Sequence, residues 1–355
     1  MSTIRPSVVW RAFGLLLLLV TLALVTAGGA SAKNGTPDAK LLRTYQPVLV
    51  FHPNEPFQPT KVQSFIEDSE LERFTGTSLL QLPLDQFWTV VDADPEPGEL
   101  PGATPGAFYR LDQVGCEADA PLAGQACYAA AWEEGSGGAA VYGRVARTPT
   151  RTVLQYWLFY YDNPLLLPAT PVGTFWQSHE GDWEVVNVVL DLDEQPVEAA
   201  YSQHCSGQRT GWSDVEKSPV GSTHPVAYVA LGSHANYFAT GAGALGSIPI
   251  SPACIPAAIA PILPSLPFLQ VVDQVLAGPS VGPPGSGLTP ATIQRIDGAP
   301  WSSFGGRWGE SEYFFTPIPL GPVPAGAVPV GLAPASPPYQ AHWNPGVVLG
   351  WPLVP

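Results

Sequence analysis

Apolar residues in this chain fall into short runs broken at close intervals by proline and glycine, a pattern of strands and turns and not of long helices. Runs at 47–52, 86–92, 126–132, 139–144, 152–161, 183–192, 199–204 and 225–231 predict β-strands. The segment Val185-Val186-Asn187-Val188-Val189-Leu190 is apolar on both faces, which places it in the middle of a packed sheet. Residues 63–73, carrying Glu67, Asp68, Glu70 and Glu72, predict a short helix, and 266–276 predict a second. Residues 165–177 read as a long loop, and 278–287 and 317–338 are rich in Pro, Gly and Ser. The aromatic group Trp301, Phe304, Trp308, Tyr313, Phe314 and Phe315 gives the C-terminal part something to bury. The expected fold is therefore all-β, a β-sandwich with long Pro/Gly-rich loops and one or two short helices. Its core spans 33–254, a loop with a short helix spans 255–300, and 301–355 packs back on the sandwich.

The N-terminus changes the picture of where the protein works. Arg5 and Arg11 precede an apolar run from Phe13 to Ala27, followed by Ala30-Ser31-Ala32. This predicts a secretory signal peptide cleaved after Ala32 and an extracellular protein; the alternative is an uncleaved membrane anchor. The formal charge is −15, and removal of two arginines and no acids takes it to −17. So few cations exclude a phosphate-tracking nucleic-acid groove and adhesion to anionic lipid by charge alone. Cations, neutral sugars and zwitterionic head groups remain as partners. Four cysteines in an exported chain predict two disulfides. Cys116 with Cys127 is the favoured pair, since the interval between them reads as a closed loop, and Cys205 with Cys254 follows.

One segment concentrates chemistry: His179-Glu180-Gly181-Asp182-Trp183-Glu184. On a strand, Asp182 and Glu184 point to one face about 7 Å apart, while Trp183 points to the other. His179 reaches the same place through a turn at Glu180-Gly181, and Glu180 falls outside the group. Two carboxylates and an imidazole converging repel unless a cation neutralises them. The donor set favours Ca²⁺ or Mg²⁺ and leaves Mn²⁺ or Zn²⁺ open. The competing reading is a capped turn or ion pairs with Arg209 or Arg307. His204 and His234 each end a predicted strand and are candidates for orienting a ligand or for general-base catalysis beside a metal-bound water.

His-x-x-Asp-Trp-Glu followed by a hydrophobic strand resembles the Gly-His-Arg-His-Asp-Trp-Glu heptapeptide of the necrosis- and ethylene-inducing peptide 1-like proteins, secreted β-sandwich cytolysins. A longer resemblance is to the vacuolar protein sorting-associated protein 62 family. It runs through Tyr45-Gln46-Pro47, the His179–Glu184 segment, Tyr201-Ser202-Gln203-His204, Gly232-Ser233-His234-Ala235 and Gly305-Gly306-Arg307-Trp308-Gly309. The cytolysin resemblance implies a divalent cation held by His179, Asp182 and Glu184 with an upstream aspartate, whose matching place is Asp162 in Tyr160-Tyr161-Asp162-Asn163-Pro164. Gly181 stands where the heptapeptide has its second histidine.

Three functions are compatible with these residues. The leading one is a secreted, metal-containing binding protein that recognises a polar ligand, a glycan or lipid head group, with membrane contact as a downstream effect. The second is a metal-dependent hydrolase, and the third is a cell-envelope protein braced by its metal. Oligomeric state is not encoded in any pattern found.

Overall fold

The structure is a computed structural model that describes residues 36–52, 55–77, 85–116, 121–135, 139–170, 173–204, 206–240, 287–288, 292–310, 314–315, 327–328 and 333–354. The predicted signal peptide, the 266–276 helix and the Cys205–Cys254 pair lie outside the described residues. Among the described residues, no helix is long and apolar enough to cross a membrane.

The fold is an all-β sandwich. In chain order the strands are β1 (Val48–Phe51), β2 (Ser69–Phe74), β3 (Trp88–Asp92), β4 (Tyr109–Gln113), β5 (Ala140–Arg147), β6 (Thr152–Thr170), β7 (Gly173–Leu190), β8 (Pro196–Gln203), β9 (Ser206–Gly211), β10 (Val226–Val229), β11 (Asn236–Tyr237), β12 (Gly287–Leu288) and β13 (Thr292–Arg295). Helices α1 (Pro37–Thr44), α2 (Val62–Glu67) and α3 (Pro121–Gly135) sit around them. The main sheet has the order β13-β5-β6-β7-β8-β9, a second has β11-β10-β1-β12, and a third has β3-β2-β4.

The main sheet is built on β6 and β7, whose antiparallel register runs from Thr152 opposite Leu190 to Thr170 opposite Gly173. Residues 152–164 and 178–190 of this pair are buried on both faces, as apolar runs such as 156–161 and 185–190 require. One face meets the second sheet: Leu49, Phe51, Ala227 and Val229 join Leu158, Val186 and Tyr201 in one core, and Tyr201 Oη donates to the Val226 carbonyl at 2.9 Å. The opposite face is aromatic. Phe159 packs against Phe65, Trp183 and Trp308 with ring centroids 5.0 to 5.2 Å apart, and Trp183 stacks on Trp301 at 5.4 Å. Such pairs add about 0.5–1.5 kcal/mol each beyond area burial. Trp301, Phe304 and Trp308 thereby lock a C-terminal segment onto the sandwich.

Three sequence expectations fail for identifiable reasons. Residues 126–132 are not a strand but the middle of α3. Ala129, Ala130 and Ala131 with Gln125, Glu133 and Glu134 are strong helix formers, and a short apolar run does not reveal its period. The 63–73 helix stops at Glu67, and Ser69–Phe74 is strand β2 between β3 and β4. Its buried Glu72 accepts from Arg110 Nε on β4 at 2.6 Å, an interaction invisible to local propensity. Residues 165–177 are largely the arms of a long β6–β7 hairpin and not a loop.

Cys116 and Cys127 form a disulfide, tying the end of β4 to α3. With a sequence separation of 11, the bond removes about 3 kcal/mol of unfolded-state loop entropy. Reducing it is expected to lower the urea midpoint correspondingly without changing the slope. An unchanged midpoint in dithiothreitol, with reduction verified by thiol titration, would show that α3 holds its place without the link.

Candidate functional site

Gly181 organises the chemistry. Strand β7 passes through the predicted turn at Glu180-Gly181 without turning back, but Gly181 has φ +53, a left-handed conformation that side chains resist. Ordinary alternation would put Glu180 and Asp182 on one face. Instead Glu180 contacts Gln113 and Tyr128 on the aromatic side, whereas Asp182 contacts His234 on the side of the second sheet. The backbone at Gly181 runs so close to the Trp308 carbonyl that a Cβ would collide with it, and Gly309 lies equally close to Glu180.

The predicted residues are buried: Asp162 at 1 % exposure, His179 at 6 %, Asp182 at 5 % and Glu184 at 2 %. Asp182 and Glu184 face the second sheet, whereas Asp162 is the register partner of Glu180 and lies in range of Tyr128 on the other side. Glu184 Oε2 accepts from Ser202 Oγ, and its Oε1 accepts from the His204 backbone N–H at 3.0 Å. Asp182 Oδ2 accepts from His234 Nδ1 at 3.0 Å. Burial and the charge of Asp182 push the Glu184 carboxyl well above the usual carboxylate range, so the pair does not hold two negative charges unaided. His179 Nδ1 donates to the carbonyls of Gly181 at 2.9 Å and Glu180 at 3.2 Å. Because carbonyls only accept, Nδ1 carries a proton, and in the neutral ring Nε2 is the nitrogen with the lone pair. Asp162 sits beside Ser178, whose Oγ is 3.5 Å from its Oδ1, with Tyr128 in electrostatic range.

Both candidate histidines belong to this neighbourhood. His234 lies flat on Tyr160, centroids 3.8 Å apart and planes 4° from parallel, and its Nε2 donates to Glu55 Oε1 at 3.3 Å. Burial opposes protonation of its ring, but Glu55 and Asp182 outweigh it and raise the imidazole to about 10. Burial lowers the His204 imidazole, with His179 and His234 acting in the same direction against Asp182. His204 Nε2 and Tyr160 Oη are buried without a hydrogen-bond partner, and Tyr160 lies within range of Asp182, Glu55 and Glu184. His204 and His234 also have φ of 57 and 53, two of the three non-glycine residues with positive φ among those described. Strain of this kind costs about 1–3 kcal/mol per residue and concentrates at functional sites.

A second acid group occupies the opposite face, and sequence reasoning missed it. Among the described residues, the group whose ligand atoms all lie within 4.8 Å of one another is Asp112, Glu180 and Glu310; the predicted Asp162, His179, Asp182 and Glu184 are not that group. These three oxygens are close enough to hold a cation. Arg110 binds the cluster's rim, 3.1 Å from Asp112, 3.6 Å from Glu310 and 2.6 Å from Glu72. Glu180 accepts from the N–H groups of Gln113 and Glu310 and from Tyr128 Oη, the last at 2.8 Å. Four carboxylates against one guanidinium leave excess negative charge; burial, with repulsion from Glu180 adding to it, raises Asp112 to about 8, and burial raises Glu180 to about 7 against the lowering effect of its hydrogen-bond donors and Arg110. A held proton or a bound cation would each answer this imbalance.

No protein-family model matches the chain, and no curated protein matches it. Solved structures that resemble it include Necrosis and Ethylene inducing Protein 2 from the causal agent of cocoa's Witches Broom disease, at 17 % identity and a TM-score of 0.28, over 58 % of this chain and 68 % of that one. NLPPya in complex with glucosamine is similar at 15 % identity and a TM-score of 0.29, over 59 % and 70 %. The non-toxic HaNLP3 protein is similar at 17 % identity and a TM-score of 0.29, over 57 % and 67 %.

Proposed function

We propose that this chain is an exported, divalent-cation-dependent binding protein, in which Asp182, Glu184 and His179 hold a cation that presents a polar ligand with its open positions. The observation that carries this reading is the orientation of His179: its Nδ1–H is tied to two backbone carbonyls, so Nε2 is the nitrogen that the neutral ring offers to a cation. Two buried carboxylates that repel each other stand near it, and a cation would draw these side chains closer, since their ligand atoms do not all lie within 4.8 Å of one another. The opposite acid group differs in facing a guanidinium, with Arg110 3.1 Å from Asp112 and 3.6 Å from Glu310.

A bound cation would supply local positive charge in a protein of formal charge −15. That charge is what a sugar hydroxyl or an anionic head group needs at an otherwise repulsive surface. His234, held between Asp182 and Glu55, fixes the orientation of the Asp182 carboxylate. The mechanism is electrostatic bridging and requires no bond to be broken.

Calorimetric titration of chelator-stripped protein is expected to show one saturable divalent-cation site, weakened at least about tenfold in Asp182→Ala and Glu184→Ala. Glycan and lipid arrays with and without chelator then test the ligand. Absence of any cation binding sinks the proposal; cation binding with array signals indifferent to chelator leaves only a bracing role.

A further inference from the structure

We propose that the Cys116–Cys127 disulfide is a redox latch: while oxidised it seats α3 on the buried Glu180 carboxylate, and its reduction by a dithiol frees the helix and opens the acid group Asp112, Glu180 and Glu310 to solvent.

The two cysteines flank the donors that hold Glu180. Cys116 closes a turn at the end of β4, its N–H donating to the Gln113 carbonyl at 3.3 Å, and the Gln113 N–H donates in turn to Glu180 Oε2 at 3.2 Å. Cys127 is next to Tyr128 on α3, and Tyr128 Oη donates to Glu180 Oε1 at 2.8 Å. One covalent bond therefore joins the two elements that meet on a single buried carboxylate.

Packing alone seats α3 weakly. Of residues 126–134 only Tyr128 is buried, a narrower stripe than a helix usually gives to a core. Beside it Trp132 Nε1 donates to the Gln58 carbonyl at 3.1 Å, while Glu133 and Glu134 are exposed. Gln113 is fixed from β2 whatever α3 does: it pairs with Ser69, and its Nε2 donates to the Phe65 carbonyl at 2.7 Å and to Ser69 Oγ at 2.6 Å. The helix is the part free to leave, since segments with few buried contacts open first. When it leaves, Tyr128 goes with it and Glu180 loses the phenol it accepts from.

The exchange starts at the more accessible sulfur. Cys127 is half-buried and Cys116 is buried, so a thiolate of the dithiol attacks Cys127 Sγ. The Sγ–Sγ bond breaks, and Cys116 departs as a thiolate and takes up a proton. The second thiol of the reductant then displaces Cys127 from the mixed disulfide, so the dithiol ends as a disulfide and both cysteines as thiols.

Hydrogen exchange of the full chain, with and without dithiothreitol and with thiols counted, tests the latch. Reduction should speed exchange of residues 121–135 at least about tenfold and leave 152–161 of β6 within about twofold, and reoxidation should restore the protection. Tyr128→Phe keeps the bond and the ring but not the hydroxyl; in its oxidised form α3 should stay protected, which separates the latch from the hydrogen bond. Opening of the acid group is read by carbodiimide labelling of Glu180, expected to rise at least about fivefold in Cys127→Ser over wild type. Undiminished protection of 121–135 after verified reduction overturns the proposal. So does equal loosening of β6, which would make the bond a brace of the whole fold, and so does a Glu180 that stays unlabelled once α3 has loosened. A bond that dithiothreitol reduces only in denaturant is no switch, and that outcome sinks the proposal as well.

Discussion

Gly181→Ala is expected to destabilise the protein by about 2–5 kcal/mol, a large part of the roughly 5–15 kcal/mol that holds a domain together. Two costs add. A left-handed backbone costs a residue with a β-carbon about 1–2 kcal/mol, and forcing a methyl group into a filled contact costs about 1–3 kcal/mol. The contact in question is the Trp308 carbonyl, which belongs to the segment locked on the sandwich by its indole ring. Gly298 supplies the comparison: its φ is +78, yet a β-carbon there would meet nothing within 4 Å. Gly298→Ala should therefore show only the backbone cost. Urea midpoints of the two variants measure the difference. Equal losses would mean that conformation alone, and not the approach of Trp308, reserves residue 181 for glycine. Because this residue sends Glu180 to one face and Asp182 to the other, any Gly181 variant that does fold should also have weakened cation affinity.

Glu180→Ala is the second large effect, and comparison with Glu180→Gln separates hydrogen bonding from charge. Alanine leaves the Gln113 N–H, the Glu310 N–H and Tyr128 Oη without their acceptor. Each buried orphan costs about 1–3 kcal/mol, so the total is about 3–9 kcal/mol. Glutamine keeps an acceptor oxygen and removes a charge that burial already disfavours, and should cost about 1 kcal/mol. The same variant answers a question of pH. Asp112 and Glu180 are raised in the folded protein, burial being the main cause and mutual repulsion adding to Asp112. A raised group stabilises the fold fully below its unfolded pKa and stops doing so as pH rises through its folded pKa. For these two the stabilisation is present near pH 4 and is lost between there and about pH 8. The expected slope is about −1.4 kcal/mol per pH unit for each proton retained by the folded state. The raised His234 contributes with the same sign at higher pH, as its folded pKa of about 10 is approached. Urea midpoints in chelator from pH 4 to pH 9 should fall across this window in wild type and fall less in Glu180→Gln. A flat profile would show that Arg110, with Glu72 and Glu310 around it, already balances the cluster without a held proton.

What could be seen in the residues alone was whatever a short window encodes. The apolar run 185–190 announced a doubly covered strand, and alternation sent Trp183 away from its acidic neighbours into the aromatic layer. The Cys116–Cys127 pairing followed from a short interval with loop composition. Alternation also kept Asp182 and Glu184 on the side where His234, Ser202 and His204 meet them. Windows failed where two short-range signals competed, as at 126–132, where alanine's helical preference outweighed an apolar run that looked like a strand.

Tertiary structure alone decided the rest, because the deciding contacts join residues far apart in the chain. Glu180 looked like a spare acid in a turn, and became the centre of a buried cluster only when Gln113, Tyr128 and Glu310 arrived from β4, α3 and the C-terminal segment. Glu55 gave no local signal, yet it completes the clamp on His234 from far upstream in the chain. The glycine at 181 was legible as a letter but not as a left-handed hinge, since its φ is dictated by the Trp308 carbonyl packed against it. A side chain's type sets which chemistry it can perform, and burial among partners brought from elsewhere sets which of those chemistries it is left to perform.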